Sequence, residues 1–122
     1  MTIEALGYLT KLLHDLGINY ELGEWTSDIV YPYFVGEFHE SLSLNEDGKQ
    51  EILFILNGFN RGSRLELLQV KEKIEKFFQE QRTILPNGNG LVISYSASEF
   101  IPTGEDELKR IQINLNINEW KV

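Results

Sequence analysis

The run Ile111-Gln112-Ile113-Asn114-Leu115-Asn116-Ile117-Asn118 alternates apolar and amide residues without a break. Side chains on a β-strand point to opposite faces with period two, so this alternation makes two clean surfaces. Ile111, Ile113, Leu115 and Ile117 belong on a core, and Gln112, Asn114, Asn116 and Asn118 on the opposite face. The second face is a row of neutral amides with no nucleophile, no acid/base group and no metal ligand. It suits water or the polar surface of another protein, which makes Asn114, Asn116 and Asn118 candidate contact residues.

The rest of the chain reads as alternating helix and strand. Residues 2–16 carry Ile3, Leu6, Leu9, Leu12/Leu13 and Leu16 at three- to four-residue spacing, the stripe of an amphipathic helix. Thr2 is placed as its N-cap, Glu4 meets the positive end of the helix dipole, and Gly17 is placed as the C′ residue. Gly7 falls inside this helix and is read as allowing close packing on a sheet. A short strand through Tyr20 and Leu22 follows. Pro32 opens a longer one, with Phe34, Gly36, Phe38, Leu42 and Leu44 on one face and Tyr33, Val35, Glu37, His39, Ser41 and Ser43 on the other. Asn45-Glu46-Asp47-Gly48 is a turn, since Asp-Gly suits the positive φ of tight hairpins. The next strand, residues 51–57, pairs back on it.

That strand contains Ile52-Leu53-Phe54-Ile55-Leu56, apolar on both faces, so a central position with cover on both sides is expected. Loops or another subunit would supply the second cover. Ser63-Arg64-Leu65-Glu66 has the form of a capping box. It predicts a second helix to about Gln81, with Leu67, Val70, Ile74, Phe77 and Phe78 buried. Pro86-Asn87-Gly88-Asn89-Gly90 is a loop, residues 91–97 a strand, and Pro102-Thr103-Gly104-Glu105-Asp106 a further loop. The order α-β-β-β-α-β-β predicts one α+β domain over residues 1–122: a two-layer fold with two helices on one face of a mostly antiparallel sheet.

Composition narrows the chemistry. The chain of 122 residues is 42% hydrophobic and 25% charged, the balance of a folded protein, and it has no cysteine. Thiolate catalysis, disulfides and Cys-type zinc sites are thereby excluded. A net charge of -8 repels phosphates, so specific nucleic-acid binding is not expected. The chain shows no secretory leader pattern and no apolar run of the ~20 residues that span a bilayer, so no membrane partner is expected.

Candidate sites are few. Glu37 and His39 share a strand face and could begin a metal site, but two ligands are too few. The carboxylates of Glu46/Asp47 and Glu105/Asp106/Glu107 sit in turns, where solvation works against the pKa shift that general acid/base work needs. The segment Asn57-Gly58-Phe59-Asn60-Arg61-Gly62-Ser63 precedes a helix N-terminus but matches neither the P-loop nor the dinucleotide pattern. It is a strand-to-helix turn in which Arg61, with Arg64 close by, could meet an anion or a neighbouring subunit. Lys71, Lys73 and Lys76 alternate with Glu72 and Glu75, as a solvated helix face does. No cofactor and no catalytic residue is expected.

As a pattern of elements the chain resembles the tail terminator, or tail completion, proteins of long-tailed bacteriophages. The resemblance lies in Pro32-Tyr33-Phe34-Val35-Gly36-Glu37, the hairpin to Ile52–Leu56, Arg61-Gly62-Ser63-Arg64-Leu65-Glu66 leading into Lys71-x-x-Ile74, and Ile101-Pro102-Thr103-Gly104 before Leu108-Lys109-Arg110-Ile111. It implies a non-enzymatic virion protein, assembled in the bacterial cytoplasm and located in the tail or neck. Such a protein forms a homo-oligomeric ring, hexameric in that family, that caps the tail tube and joins it to the head-tail connector. An acidic chain suits a ring whose lumen passes DNA without holding it. The alternatives are another head-tail joining or minor structural phage protein, or a monomeric protein-binding or inhibitor module.

Overall fold

The structure, a computed structural model, describes residues 1–40 and 48–122. Those residues form α1 (Ile3–Asp15), β1 (Tyr20–Leu22), β2 (Tyr33–Glu40), β3 (Lys49–Arg61), α2 (Leu65–Phe77), β4 (Gln81–Ile84), β5 (Gly90–Ile101) and β6 (Leu108–Trp120). The strands make one sheet in the order β1-β2-β3-β6-β5-β4. β1 runs parallel to β2, and every other neighbouring pair is antiparallel. The helices pack on one face of this sheet, so the two-layer α+β architecture and its element order hold, with β4 added as a short edge strand. The strand continuation through Leu42 and Leu44, the Asn45-Glu46-Asp47 turn and the Glu46/Asp47 pair lie outside the described residues.

Local chemistry explains the ends of α1. The Thr2 hydroxyl accepts the Ala5 N–H at 3.2 Å, one of the donors that a helix start leaves unpaired. At the other end Gly17 takes φ 78, its N–H donates to the His14 carbonyl at 2.9 Å, and the Ile18 N–H donates to the Leu13 carbonyl at 3.0 Å. These are the paired bonds of a Schellman ending. The buried stripe is Ala5, Leu9 and Leu13, one residue per turn, and Ile3 is left 88% exposed. Gly7 lies on the exposed side, and a Cβ there would meet nothing within 4 Å. Its expected role in close packing is therefore corrected.

α2 differs from expectation at both ends. Ser63 Oγ accepts the Leu65 N–H at 3.0 Å, and the Glu66 carboxylate accepts from Asn60 Nδ2 at 3.2 Å instead of reaching back to Ser63. Asn60 is buried and also donates to the Ser63 carbonyl at 2.8 Å, so it competes for the partner that a capping box needs. The helix stops at Phe77, not near Gln81. Phe78 buries its ring in the core, and its carbonyl accepts the Tyr95 N–H at 2.6 Å. The Gln81 side chain then donates to the Phe77 carbonyl at 3.0 Å, and β4 begins.

The core fills the space between helices and sheet. Phe34 from β2, Ile52, Phe54 and Leu56 from β3, and Ile111, Ile113, Leu115 and Ile117 from β6 meet Leu9, Leu13, Leu67, Ile74 and Phe78. Fully burying each such side chain contributes on the order of 1.5–3 kcal/mol before conformational entropy is counted. Two strand glycines make room for aromatic rings. A Cβ on Gly58 would come within 2.2 Å of Phe34, its register partner, and a Cβ on Gly36 within 2.6 Å of Tyr20. The rings occupy the volume that the missing side chains leave.

Candidate functional site

The sheet face turned away from the helices is the surface that most needs explanation. The antiparallel register brings Glu37, Ile55, Asn114 and Ala97 into one row across β2, β3, β6 and β5. His39, Leu53, Asn116 and Ser94 form the next row. Asn118, beside Val92, continues the pattern. Asn116 is exposed, Asn114 and Asn118 are half-buried, and Leu53 is 36% exposed. The register expected for the last strand is the observed one: Ile111, Ile113, Leu115 and Ile117 are buried, and the amides face outward.

β3 is central, but its second apolar side has no element of the described chain packed on it. Two-sided cover of this strand is thus not observed within the described residues. A depression of ≈ 530 Å³ lies here, between His39, Glu51, Leu53, Asn116 and Asn118. Between Glu37, Glu51 and Glu99, which stand on the same face, Leu53, Ile55, Asn114 and Asn116 form an uncharged stretch. Charge depletion with apolar and amide chemistry characterises the middle of protein–protein interfaces.

One end of the face is aromatic and cationic. Tyr33 stacks on Phe59 with centroids 5.2 Å apart, Trp25 lies 4.9 Å from Tyr33, and Tyr31 lies 5.6 Å from it. The Arg110 guanidinium stands over Phe59 at 5.8 Å, and its Nη2 donates to Asn57 Oδ1 at 2.8 Å, while its buried Nε has no partner among the described residues. Arg61 lies over Tyr31 at 5.8 Å. A hydrogen bond with Tyr31, reinforced by the nearby charges of Glu105 and Glu107, holds its guanidinium pKa above the usual arginine range. Trp, Tyr and Arg are the residues most often found carrying binding energy in protein interfaces.

The candidate residues thus separate. Arg61, Asn114, Asn116 and Asn118 share the open face, Arg61 at the aromatic end and the amides along the middle. Arg64 belongs to the helix side, where it stands over Phe100 at 5.4 Å. The sequence singled out neither the aromatic group nor the role of Arg110. The segment from Asn57, expected as a strand-to-helix turn, continues β3 to Arg61, and β6 begins at Leu108, before the expected Ile111; these longer strands bring Phe59 and Arg110 beside Tyr33 through the β2-β3-β6 pairing. Glu37 and His39 stand 4.0 Å apart and both are exposed. Among the described residues no group of three or more His, Cys, Asp or Glu could hold a metal ion, and no helix is long and apolar enough to cross a membrane.

Glu119 is the other residue that the sequence did not single out. It continues the inward phase of β6 and is buried. Its carboxylate accepts the Thr2 N–H at 2.9 Å, the Thr2 hydroxyl at 2.6 Å and Asn89 Nδ2 at 2.9 Å. Burial works to raise its pKa, and the hydrogen bonds from Thr2 and Asn89 outweigh that, holding it below the usual carboxylate range. Every acceptor contact is structural: it ties the start of α1 and the 85–89 turn to β6. Compared with known proteins, the chain matches no family model and no curated protein.

Proposed function

We propose that this chain is a non-enzymatic assembly protein of a long-tailed phage, a tail terminator. In this reading its copies form a ring, hexameric as in that family, which caps the tail tube and joins it to the head-tail connector in the virion neck. The observation that carries the reading is the open sheet face: an uncovered field of Leu53, Ile55, Asn114, Asn116 and Asn118, edged by Glu37, Glu51 and Glu99 and bordered at one end by an aromatic and arginine cluster. Such a face has hot-spot residues at one end and hydrogen-bonding amides in the middle, which suits another protein better than a small substrate or a nucleic acid.

The test mixes the protein with purified tail tube protein and images the tubes by electron microscopy. The expected result is a disc of extra density at one end of each tube, accompanied by arrest of tube growth. Tubes whose ends never carry the protein, while growth stops normally in its presence, would refute the terminator reading and favour a head-completion role. A protein that binds neither tubes nor itself would favour a monomeric binding module.

A further inference from the structure

A second surface lies where the two helices end. Leu16 at the end of α1, Phe77 at the end of α2 and Gln81 at the start of β4 line an apolar pocket of ≈ 390 Å³, with Lys73 and Lys76 on its rim. Lys71 is paired with Glu75 at 3.0 Å. Lys73 reaches only the Leu16 carbonyl, at 3.4 Å, and among the described residues neither Lys73 nor Lys76 has a carboxylate partner. On a chain of net charge -8 this is an island of unneutralised positive charge around an apolar floor. The alternation with Glu72 and Glu75, which reads as a solvated face in the sequence, neutralises only one of the three lysines.

The matching chemistry is in the loop 23–31. Ile29 is 55% and Val30 64% exposed, and Glu24 and Asp28 beside them have no cationic partner among the described residues. The loop is held in shape. The Glu21 carboxylate accepts the Thr26 hydroxyl at 2.6 Å and the N–H groups of Thr26 and Ser27 at 3.3 Å. Asn19 Nδ2 donates to the Val30 carbonyl at 2.9 Å. An apolar tip already ordered loses less entropy on docking. The other acidic loop fits less well, because Arg61 lies beside Glu105 and Glu107, and Arg64, Lys109 and Arg110 border the same cleft.

We propose that the lysine-rimmed pocket receives the 23–31 loop of a second copy, Ile29 and Val30 seating on Leu16 and Phe77 while Glu24 and Asp28 meet Lys73 and Lys76; this rests on the ring reading above. The loop follows β1, and its Val30 lines one cleft with Gly17 and with Val70 of α2, so loop and pocket are neighbouring but different patches of one copy. Joined in one direction from copy to copy, loop and pocket make a heterologous contact, the kind that closes rings; joined reciprocally they would stop at a two-fold dimer, which gives no ladder in the test below.

The absence of cysteine allows a direct test. A double variant, Ile29→Cys with Gln81→Cys, is oxidised at high protein concentration and run on a denaturing gel. The expected result is a ladder of disulfide-linked multimers that the pair Ile29→Cys with Glu99→Cys does not give. Adding Lys73→Glu and Lys76→Glu should lower ladder yield by about tenfold, and Glu24→Lys with Asp28→Lys should restore it. No ladder, a ladder equal to the Glu99 control, or one indifferent to charge reversal would overturn the contact. If Lys73→Glu/Lys76→Glu protein still forms rings on tail tubes, the ring stands and this contact falls. If wild-type protein forms no ring even on tubes, the ring reading itself has failed.

Discussion

Two glycines show how differently the same residue type serves this fold. Gly58 is required by a neighbour, because any Cβ would overlap the Phe34 ring. Gly58→Ala should therefore destabilise the protein by about 1–3 kcal/mol, the usual scale for overpacking a filled core, and chemical denaturation would measure it. Gly7 is on the exposed side of α1 with open space around it. Gly7→Ala should stabilise by about 0.5–1 kcal/mol and raise the melting temperature. Glu119 carries a pH prediction. Its folded pKa lies below the ordinary value, so the carboxylate contributes stability above the unfolded pKa of about 4.3, and that contribution is lost as pH falls through the folded value. Glu119→Gln should cost about 1–3 kcal/mol near neutral pH, with the deficit shrinking on acidification. A deficit that does not change with pH would show that the charge of Glu119 contributes nothing.

At the scale of elements, the register of β6 decides which surface is core and which is face. Ile113→Asp should unfold the domain, because an unpartnered buried carboxylate costs several kcal/mol against a typical stability of about 5–15 kcal/mol. Asn116→Asp, on the exposed side of the same strand, should leave the melting temperature nearly unchanged; the opposite pattern in thermal unfolding would mean the strand is slipped by one residue. This register was legible because strict alternation leaves a strand one consistent placement. The first helix was legible too, through Thr2, the leucine repeat and Gly17. What escaped were features decided by distant contacts. The helical spacing of Phe77 and Phe78 hides the end of α2, which is set by Tyr95 and Gln81. The capping box at Ser63 lost Glu66 to Asn60, a residue of the preceding strand. Glu119 went unremarked in the sequence, since only the fold brings Thr2 and Asn89 to it.

At the scale of the molecule, one sheet divides the work. Its inner face, with the two helices, holds the fold, and its outer face presents apolar, amide and aromatic groups that no described element covers. The two-sided apolar character of Ile52–Leu56 predicted cover on both faces, by loops or another subunit, and among the described residues the second face has none. The sequence also indicated Asn114, Asn116 and Asn118. It could not indicate the Trp25-Tyr31-Tyr33-Phe59 group, whose members come from a loop and two strands. The central claim is that the helix-covered face of this sheet holds the fold and the open face binds the tail tube, and the open-face variant Leu53→Glu/Asn116→Glu tests it. Its melting temperature and its occupancy of tail-tube ends, counted by electron microscopy, are measured together against wild type. The account predicts a fold of near wild-type stability with end occupancy reduced by about tenfold or more, since a charge buried unpaired in an interface costs several kcal/mol. Undiminished occupancy by this variant would contradict it.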